Sequence, residues 1–137
     1  MLSPKPLNLR LLYGDILVAE LRDAFPHQGT WFANYEQIVL PEEGMLQNRL
    51  CGYIGFCEDW HHRLEAGKDP DPKEFDQYAD VIESSSWRVD CPDGSTLTMD
   101  SGPIFVQGEA SWNHPEAELS AELEADRVWR RLTDRAP

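Results

Sequence analysis

Five side chains of the types that bind metals fall within six consecutive positions, inside the segment FCEDWHH at residues 56–62. They are Cys57, Glu58, Asp59, His61 and His62. Thiolate, imidazole and carboxylate groups are the ligands that zinc takes in proteins, usually four of them or three with a water molecule. The segment is therefore either a metal or catalytic site, or the polar end of a helix.

On a helix, these side chains do not share one face. Residues four positions apart lie on the same side, so Cys57 joins His61 and Glu58 joins His62. The first pair falls on the apolar stripe of the predicted helix and is typical of a small core thiol with a hydrogen-bonded histidine. The second pair is typical of a solvated helix end, where the helix dipole favours histidine. We favour this interpretation, in which one pair is core and the other is surface.

A metal site is the alternative, with Cys57, Glu58, His61 and His62 as its candidate ligands. One helix supplies only two ligands on a face, so at least one more would have to come from elsewhere in the chain. The recognised spacings H-E-x-x-H and paired C-x-x-C are absent from the sequence. No cofactor is predicted. The residues considered as further ligands are His27, Cys91, His114 or an acid.

A second candidate site is the stretch PHQGTWFANYE at residues 26–36, which reads as a strand with aromatic side chains. If one face of this strand is uncovered, it presents aromatic surface beside a histidine and a glutamate, as ligand pockets do. The alternative, which we favour, is that the aromatic side chains alternate inward and fill the core. The candidate ligand-binding residues are His27, Trp31, Tyr35, Glu36 and His61, in a pocket between the sheet and the long helix.

The elements that would position these residues begin with strands. Alternating apolar and polar residues predict three strands, at 7–11, 16–25 and 30–36. Apolar residues spaced by three and four then predict a long helix from Pro41 to Ala66. Its predicted apolar stripe runs from Leu46 to Leu64 and includes Cys57 and His61.

The second half of the chain adds a short helix beginning after Asp71 and three more strands, at 85–91, 95–100 and 103–112. Gly-bearing turns between these strands predict an antiparallel meander. Pro115 begins a last helix. Strands grouped before and after helices indicate an α+β fold. We expect an antiparallel sheet of about six strands, with the long helix packed on one face, a short second helix and a C-terminal helix.

Length and pattern also predict the domain organisation. At 137 residues, the chain fits one ordinary domain. We expect residues 1–113 to form a single α+β domain. Residues 114–137 would form a helix that docks on this domain or on a partner chain, and in the second case the chain could form a homodimer through that helix.

Charge and cysteine content bound the partners and the compartment. The net charge is −13, from 25 acids and 12 bases, which disfavours binding to nucleic acid or to an anionic membrane. A basic protein partner is compatible with this charge. No signal peptide or membrane-spanning run is recognisable, and the three cysteines show no disulfide pattern. We therefore expect a reduced, cytoplasmic protein.

Three functions follow from these patterns, in order of preference. The first is a non-catalytic, acidic interaction module that docks a basic protein. The second is a small-molecule-binding protein or enzyme that uses the pocket described above. The third is a metal protein that uses residues 57–62. No catalytic residue is predicted, because the sequence contains neither a G-x-S-x-G nucleophile motif nor a glycine-rich phosphate loop before a helix.

Overall fold

The computed structural model describes residues 7–99, 101–113 and 121–133, with side chains of the last segment from residue 126 onward. Seven strands of this part of the chain form one antiparallel sheet. They are β1 (Leu9–Tyr13), β2 (Ile16–His27), β3 (Thr30–Gln37), β4 (Trp87–Asp90), β5 (Thr96–Thr98), β6 (Ile104–Val106) and β7 (Glu109–Asn113). Their order across the sheet is β5-β4-β1-β2-β3-β7-β6.

The helices lie between and after the strands. They are α1 (Met45–Glu65), α2 (Ala79–Ile82) and α3 (Ala121–Thr133), together with short 3-10 helices at Pro41–Glu43 and Pro72–Tyr78. The long helix begins at Met45 and not at the predicted Pro41. Pro41 instead opens a 3-10 turn, and the extended backbone of Gly44 separates that turn from α1. Pro115, where the last helix was expected to begin, lies outside the described residues.

This architecture confirms the α+β prediction, with one strand more than expected. The predicted strand at 103–112 is in fact two strands, β6 and β7, joined by a tight turn at Gln107 and Gly108. Both turn residues have positive φ, 51° and 78°, which the two-residue turns of twisted hairpins require. The Gln-Gly pair in the middle of this segment was the signal for a turn.

Of the predicted meander of late strands, the first pairing is confirmed, as β4 with β5, but the segment at 103–112 lies at the opposite edge of the sheet. β4 pairs with β1 and carries β5 at one edge, whereas β7 pairs with β3 and carries β6 at the other edge. The late strands therefore extend the sheet on both sides of the β1-β2-β3 meander. Local spacing predicts that strands exist, but which neighbours pair depends on long-range packing.

The core lies between α1 and one face of the sheet. The middle of the predicted stripe is buried, with Leu50, Tyr53, Ile54, Cys57 and Trp60 at 9% exposure or less. Its two ends are not: Leu46 and Leu64 are 43% and 47% exposed. The core contact of the helix is therefore confined to its middle turns, and the leucines at its two ends remain partly in solvent.

The face of α1 that carries Gly52 receives the 3-10 helix at Pro72–Tyr78. A Cβ atom on Gly52 would lie 2.9 Å from the hydroxyl oxygen of Tyr78, so only glycine leaves room for this ring. Arg49 lies over the same ring, with its guanidinium carbon 4.7 Å from the ring centroid. The 3-10 helix is thus held against α1 by close packing and a cation–π contact.

The C-terminal helix α3 contacts β2 and β3 of its own chain. Val128 and Leu132 are buried there as part of the same core cluster. Arg131 donates to the Ser95 hydroxyl at 3.2 Å, in the turn between β4 and β5. A homodimer through α3 stays a prediction, and it would have to form without these two buried side chains. No described helix is long and apolar enough to span a membrane.

Candidate functional site

Glu58 accepts three hydrogen bonds from residues far away in sequence. Its Oε2 atom accepts a hydrogen bond from the Tyr35 hydroxyl at 2.5 Å and another from the backbone N–H of Gly108 at 3.0 Å. Its Oε1 atom accepts from the backbone N–H of Gln107. One carboxylate of α1 thereby fastens β3 and the β6–β7 turn to the helix. This explains why a glutamate stands at the border of the apolar stripe.

The surroundings of Glu58 favour its ionised form. Partial burial raises the pKa of Glu58, but the hydrogen bonds from Tyr35 and the two turn amides outweigh it, and the pKa lies below the ordinary value. Burial and the neighbouring carboxylate raise the pKa of Tyr35. The pair is therefore a charged acceptor and a neutral donor near neutral pH. Neither group is poised to exchange a proton with a substrate there.

Cys57 is a core residue, as predicted, whereas His61 is only half-buried and lies outside the core cluster. His61 Nδ1 lies 2.8 Å from the carbonyl oxygen of Cys57, so this nitrogen carries the proton and donates it. The His61 ring also contacts Trp60 edge-on, with centroids 5.0 Å apart. Cys57 is fully buried, and burial raises the pKa of its thiol, which keeps it protonated and unreactive. His62 is exposed at the helix end.

These positions do not assemble a metal site from the described residues. Across residues 7–99 and 101–113 and the side chains from 126 to 133, no three His, Cys, Asp or Glu groups could hold one ion. Both oxygens of Glu58 already accept hydrogen bonds, and His27 is in β2, outside the 57–62 segment. His114 lies outside the described residues. The metal hypothesis stays a prediction without a described third ligand.

The five predicted ligand-binding residues do not line one pocket. Trp31 is fully buried and stacks on Trp112, with ring centroids 6.0 Å apart and planes 4° apart. Tyr35 and Glu36 are consecutive on β3, so their side chains point to opposite faces of the sheet. Glu36 pairs with Arg22 at 2.5 Å, with both side chains more than half exposed.

Aromatic rings fill the space where that pocket was expected. Phe105 is fully buried between Tyr35 and Tyr53, with ring centroids 4.9 Å and 6.1 Å away. The Tyr53 hydroxyl donates to the carbonyl of Pro103 at 2.8 Å. This packing between β3, β6 and α1 argues against a ligand cavity at these residues, although the pocket stays a prediction.

One buried polar group in this layer has no described partner. The indole N–H of Trp112 finds no hydrogen-bond acceptor among the described residues, although the side chain is 3% exposed. Trp112 lines a small cavity of about 140 Å³ together with the polar residues Thr30, Ser111 and Asn113. A cavity of this size and polarity has room for a few water molecules, each of which fills about 30 Å³ in the liquid.

A larger cleft, of about 860 Å³, is lined by residues of β1, β2 and the β4–β5 hairpin, both polar and apolar. Arg10 of β1 sits there between its cross-strand neighbours Glu20 and Asp90, and all three line the cleft. Positive and negative side chains alternate across the strands. The sequence signal for this face was the alternation of Asn8 and Arg10 with buried leucines. The cleft carries balanced charge. Its cysteine, Cys91, is buried, and burial raises the pKa of the thiol, which disfavours the reactive thiolate, so the cleft points to no particular reaction.

An exposed apolar surface lies at the connection between β3 and α1, and we name it the 38–46 patch. It consists of four apolar side chains, Ile38, Leu40, Met45 and Leu46, with the acidic side chains Glu42 and Glu43 between them. Six large hydrophobic side chains in the described residues are markedly exposed, and four of them belong to this patch. The sequence prediction missed it because the whole segment from Pro41 was assigned to an amphipathic helix, with Leu46 inside.

Comparisons of the chain with protein-family models, with curated proteins and with solved structures found no match. No relative therefore supplies a function for the hydrogen bonds of Glu58, the cleft beside Arg10 or the 38–46 patch. Any inference about function must therefore come from the charge, the burial and the contacts of these three features.

Proposed function

We propose that this chain is a non-catalytic interaction module that binds a basic protein partner. The observation that carries the proposal is that most of the described arginines are already paired with carboxylates of the chain itself. Six of the described arginines each form an ion pair with a carboxylate of the same chain. They are Arg22, Arg49, Arg63, Arg88, Arg130 and Arg131.

These ion pairs leave the surface with an excess of unneutralised carboxylates. The chain has 25 acids and 12 bases. The six arginines are half of the bases, and they pair with eight of the acids, so most of the acids remain. Such a surface attracts cationic partners and speeds their association, most strongly at low ionic strength. It repels nucleic acid and anionic lipid, whose binding depends on lysine and arginine.

The groups that could have performed chemistry are already engaged in structural contacts. Glu58 accepts from three donors, and His61 donates to a backbone carbonyl. The free cysteines have thiol pKa values raised by burial, which disfavours the reactive thiolate. These contacts support a binding role over a catalytic one. The free thiols also support the proposal that the interaction takes place in the reducing cytoplasm.

Affinity capture from the source cell tests this function. The bait is the full chain, and the control bait is an unrelated acidic protein of the same net charge. Capture takes place at about 50 mM salt and elution at about 500 mM, where the screening length falls from about 14 Å to about 4 Å. We expect the chain to retain a protein rich in lysine and arginine that the control bait does not retain.

The captured protein is then purified and titrated against the chain. We expect saturable binding that weakens at least tenfold over this range of salt. Two results would contradict the proposal. The captured set could be no more basic than the set on the control bait, or the purified pair could bind with an affinity independent of salt.

A further inference from the structure

We propose that the 38–46 patch is the contact surface for this partner, and that it takes a basic amphipathic helix. This inference rests on the proposed function, because it names where and how a basic protein would bind. The occupant is defined by its chemistry: an apolar face that covers the exposed apolar side chains, flanked by lysine or arginine.

The apolar part of the patch is unusually exposed for a folded domain. Met45 is 92% exposed, Leu40 is 49% exposed, and Ile38 and Leu46 are 39% and 43% exposed. Scattered exposed leucines are common on protein surfaces, but several within one short segment mark an interaction site. The 38–46 patch thus presents apolar surface that the described part of the chain leaves exposed.

The backbone beneath the patch is held by hydrogen bonds, so this exposure is a property of the folded chain. The N–H groups of Ile38 and Val39 donate to the carbonyl of Val18 at 2.9 Å and 3.1 Å. The N–H of Leu40 donates to the carboxylate of Glu43 at 2.8 Å. A surface ordered in this way loses little conformational entropy when a partner binds, which favours affinity.

The charge around the patch is negative. Glu42 and Glu43 are exposed, and both contribute, after burial, to raising the pKa of the neighbouring thiol of Cys51. No lysine or arginine occurs in the sequence between Arg22 and Arg49. Arg49 itself is bound to the carboxylate of Asp80, at 2.5 Å and 3.0 Å. The 38–46 patch thus combines apolar side chains with carboxylates, and its segment contains no lysine or arginine. Such a surface complements a basic amphipathic helix.

The same charges disfavour a second copy of this chain as the occupant. In a two-fold symmetric contact, a patch meets the same patch of its partner. Glu42 and Glu43 would then face their own copies, in a pair of chains that each carry a net charge of −13. Like charges placed together at an interface cost binding energy and suppress the wrong partner.

Two labelled peptides of about 18 residues test the inference by fluorescence anisotropy. In the first, leucines recur at helical spacing on one face and lysines occupy the other. The second has the same composition, with its leucines spread around the helix. We expect the full chain to bind the first peptide about tenfold more tightly than the second at physiological salt, because only the first offers an apolar face.

Matched variants locate the binding surface. Leu46→Gln and Leu64→Gln change the same side chain at similar exposure, at opposite ends of α1. We expect Leu46→Gln to weaken binding of the first peptide about fivefold to tenfold, as truncation of an interface anchor does. Leu64→Gln should stay within about twofold of the unchanged chain. The double variant Glu42→Gln with Glu43→Gln should weaken it more than Glu83→Gln with Glu109→Gln, and this difference should vanish at high salt.

The failures of the two proposals are distinguishable. If neither peptide binds but the affinity capture still retains a basic protein, the patch is wrong and the function stands; if the capture fails as well, both are wrong. If the first peptide binds but Leu46→Gln and Leu64→Gln have equal effects, the basic-partner function stands and the patch is wrong. If light scattering shows a dimer that Leu46→Gln dissociates, the patch is a contact between copies, and a basic helix is not its occupant.

Discussion

Replacement of Glu58 by glutamine removes the single negative charge that Tyr35 and the β6–β7 turn share. The side chain keeps its shape, but one of its two acceptor oxygens becomes an NH₂ donor. Either orientation of the amide places this donor against a group that now lacks an acceptor. In one orientation that group is the N–H of Gln107, and in the other it is the N–H of Gly108.

The expected loss follows from those contacts. A hydrogen bond to a charged group contributes about 1.5 to 3 kcal/mol, and partial exposure of the site places it near the lower end of this range. We expect Glu58→Gln to lower the free energy of unfolding by about 2 kcal/mol. Unfolding entropy of about 2.1 cal/mol/K per residue converts this loss to a fall of about 7 °C in Tm for a chain of this length.

The loss should depend on pH in a definite direction. Folding lowers the pKa of Glu58, so its contribution to stability is fully present above the unfolded value of about 4.3. That contribution disappears as the pH falls through the lower folded value. The difference between the unchanged chain and Glu58→Gln should therefore be constant from about pH 8 to pH 5 and should shrink below about pH 4.

Urea unfolding curves at a series of pH values measure this difference. The control is Glu36→Gln, because the carboxylate of Glu36 is exposed and its described ion pair is with Arg22, which is also exposed. Surface pairs contribute about 0 to 1 kcal/mol, so the control should lose about 0.5 kcal/mol or less. If Glu58→Gln also loses about 0.5 kcal/mol or less, or if its loss is unchanged at low pH, the carboxylate does not fasten the turn as described.

Three further outcomes follow from the packing of α1. Gly55→Ala should raise the free energy of unfolding by about 0.5 to 1 kcal/mol in thermal melts, because nothing lies within 4 Å of the new Cβ. Gly52→Ala should give no such increase, because its new Cβ would displace Tyr78. Native-state alkylation followed by mass spectrometry should label half-buried Cys51 before buried Cys57, and faster labelling of Cys57 would mean that α1 opens locally. After EDTA treatment, Zn²⁺ or Ni²⁺ should shift Tm by less than about 1 °C, whereas a saturable rise of several degrees would restore the metal hypothesis.

Periodic segments were predictable from the sequence because their pattern is local. The alternation in β1 to β3 and the three- and four-residue spacing in α1 each record which face meets the core. The assignment of Cys57 and His61 to the core side of α1 followed from the same spacing. Errors came at segment ends and turns, where Gly44 and Gln107-Gly108 interrupt the pattern.

The candidate site was predictable only in part, because its contacts join distant residues. Glu58 was assigned to a solvated pair with His62, four residues away. Its described hydrogen bonds instead go to Tyr35 on β3 and to the turn between β6 and β7, 49 and 50 residues along the chain from it. No local pattern identifies a carboxylate that accepts from a turn so far away in sequence.

The sequence by itself determined the α+β class, the negative net charge and the polar and apolar faces of the long helix. Each of these depends on composition or on a repeat within one element. Only the tertiary structure decided the strand order, the role of Glu58 and the exposure of the 38–46 patch. Burial and pairing depend on which surfaces the rest of the chain covers, so the sequence pattern alone does not decide whether an apolar residue such as Leu46 is core or surface.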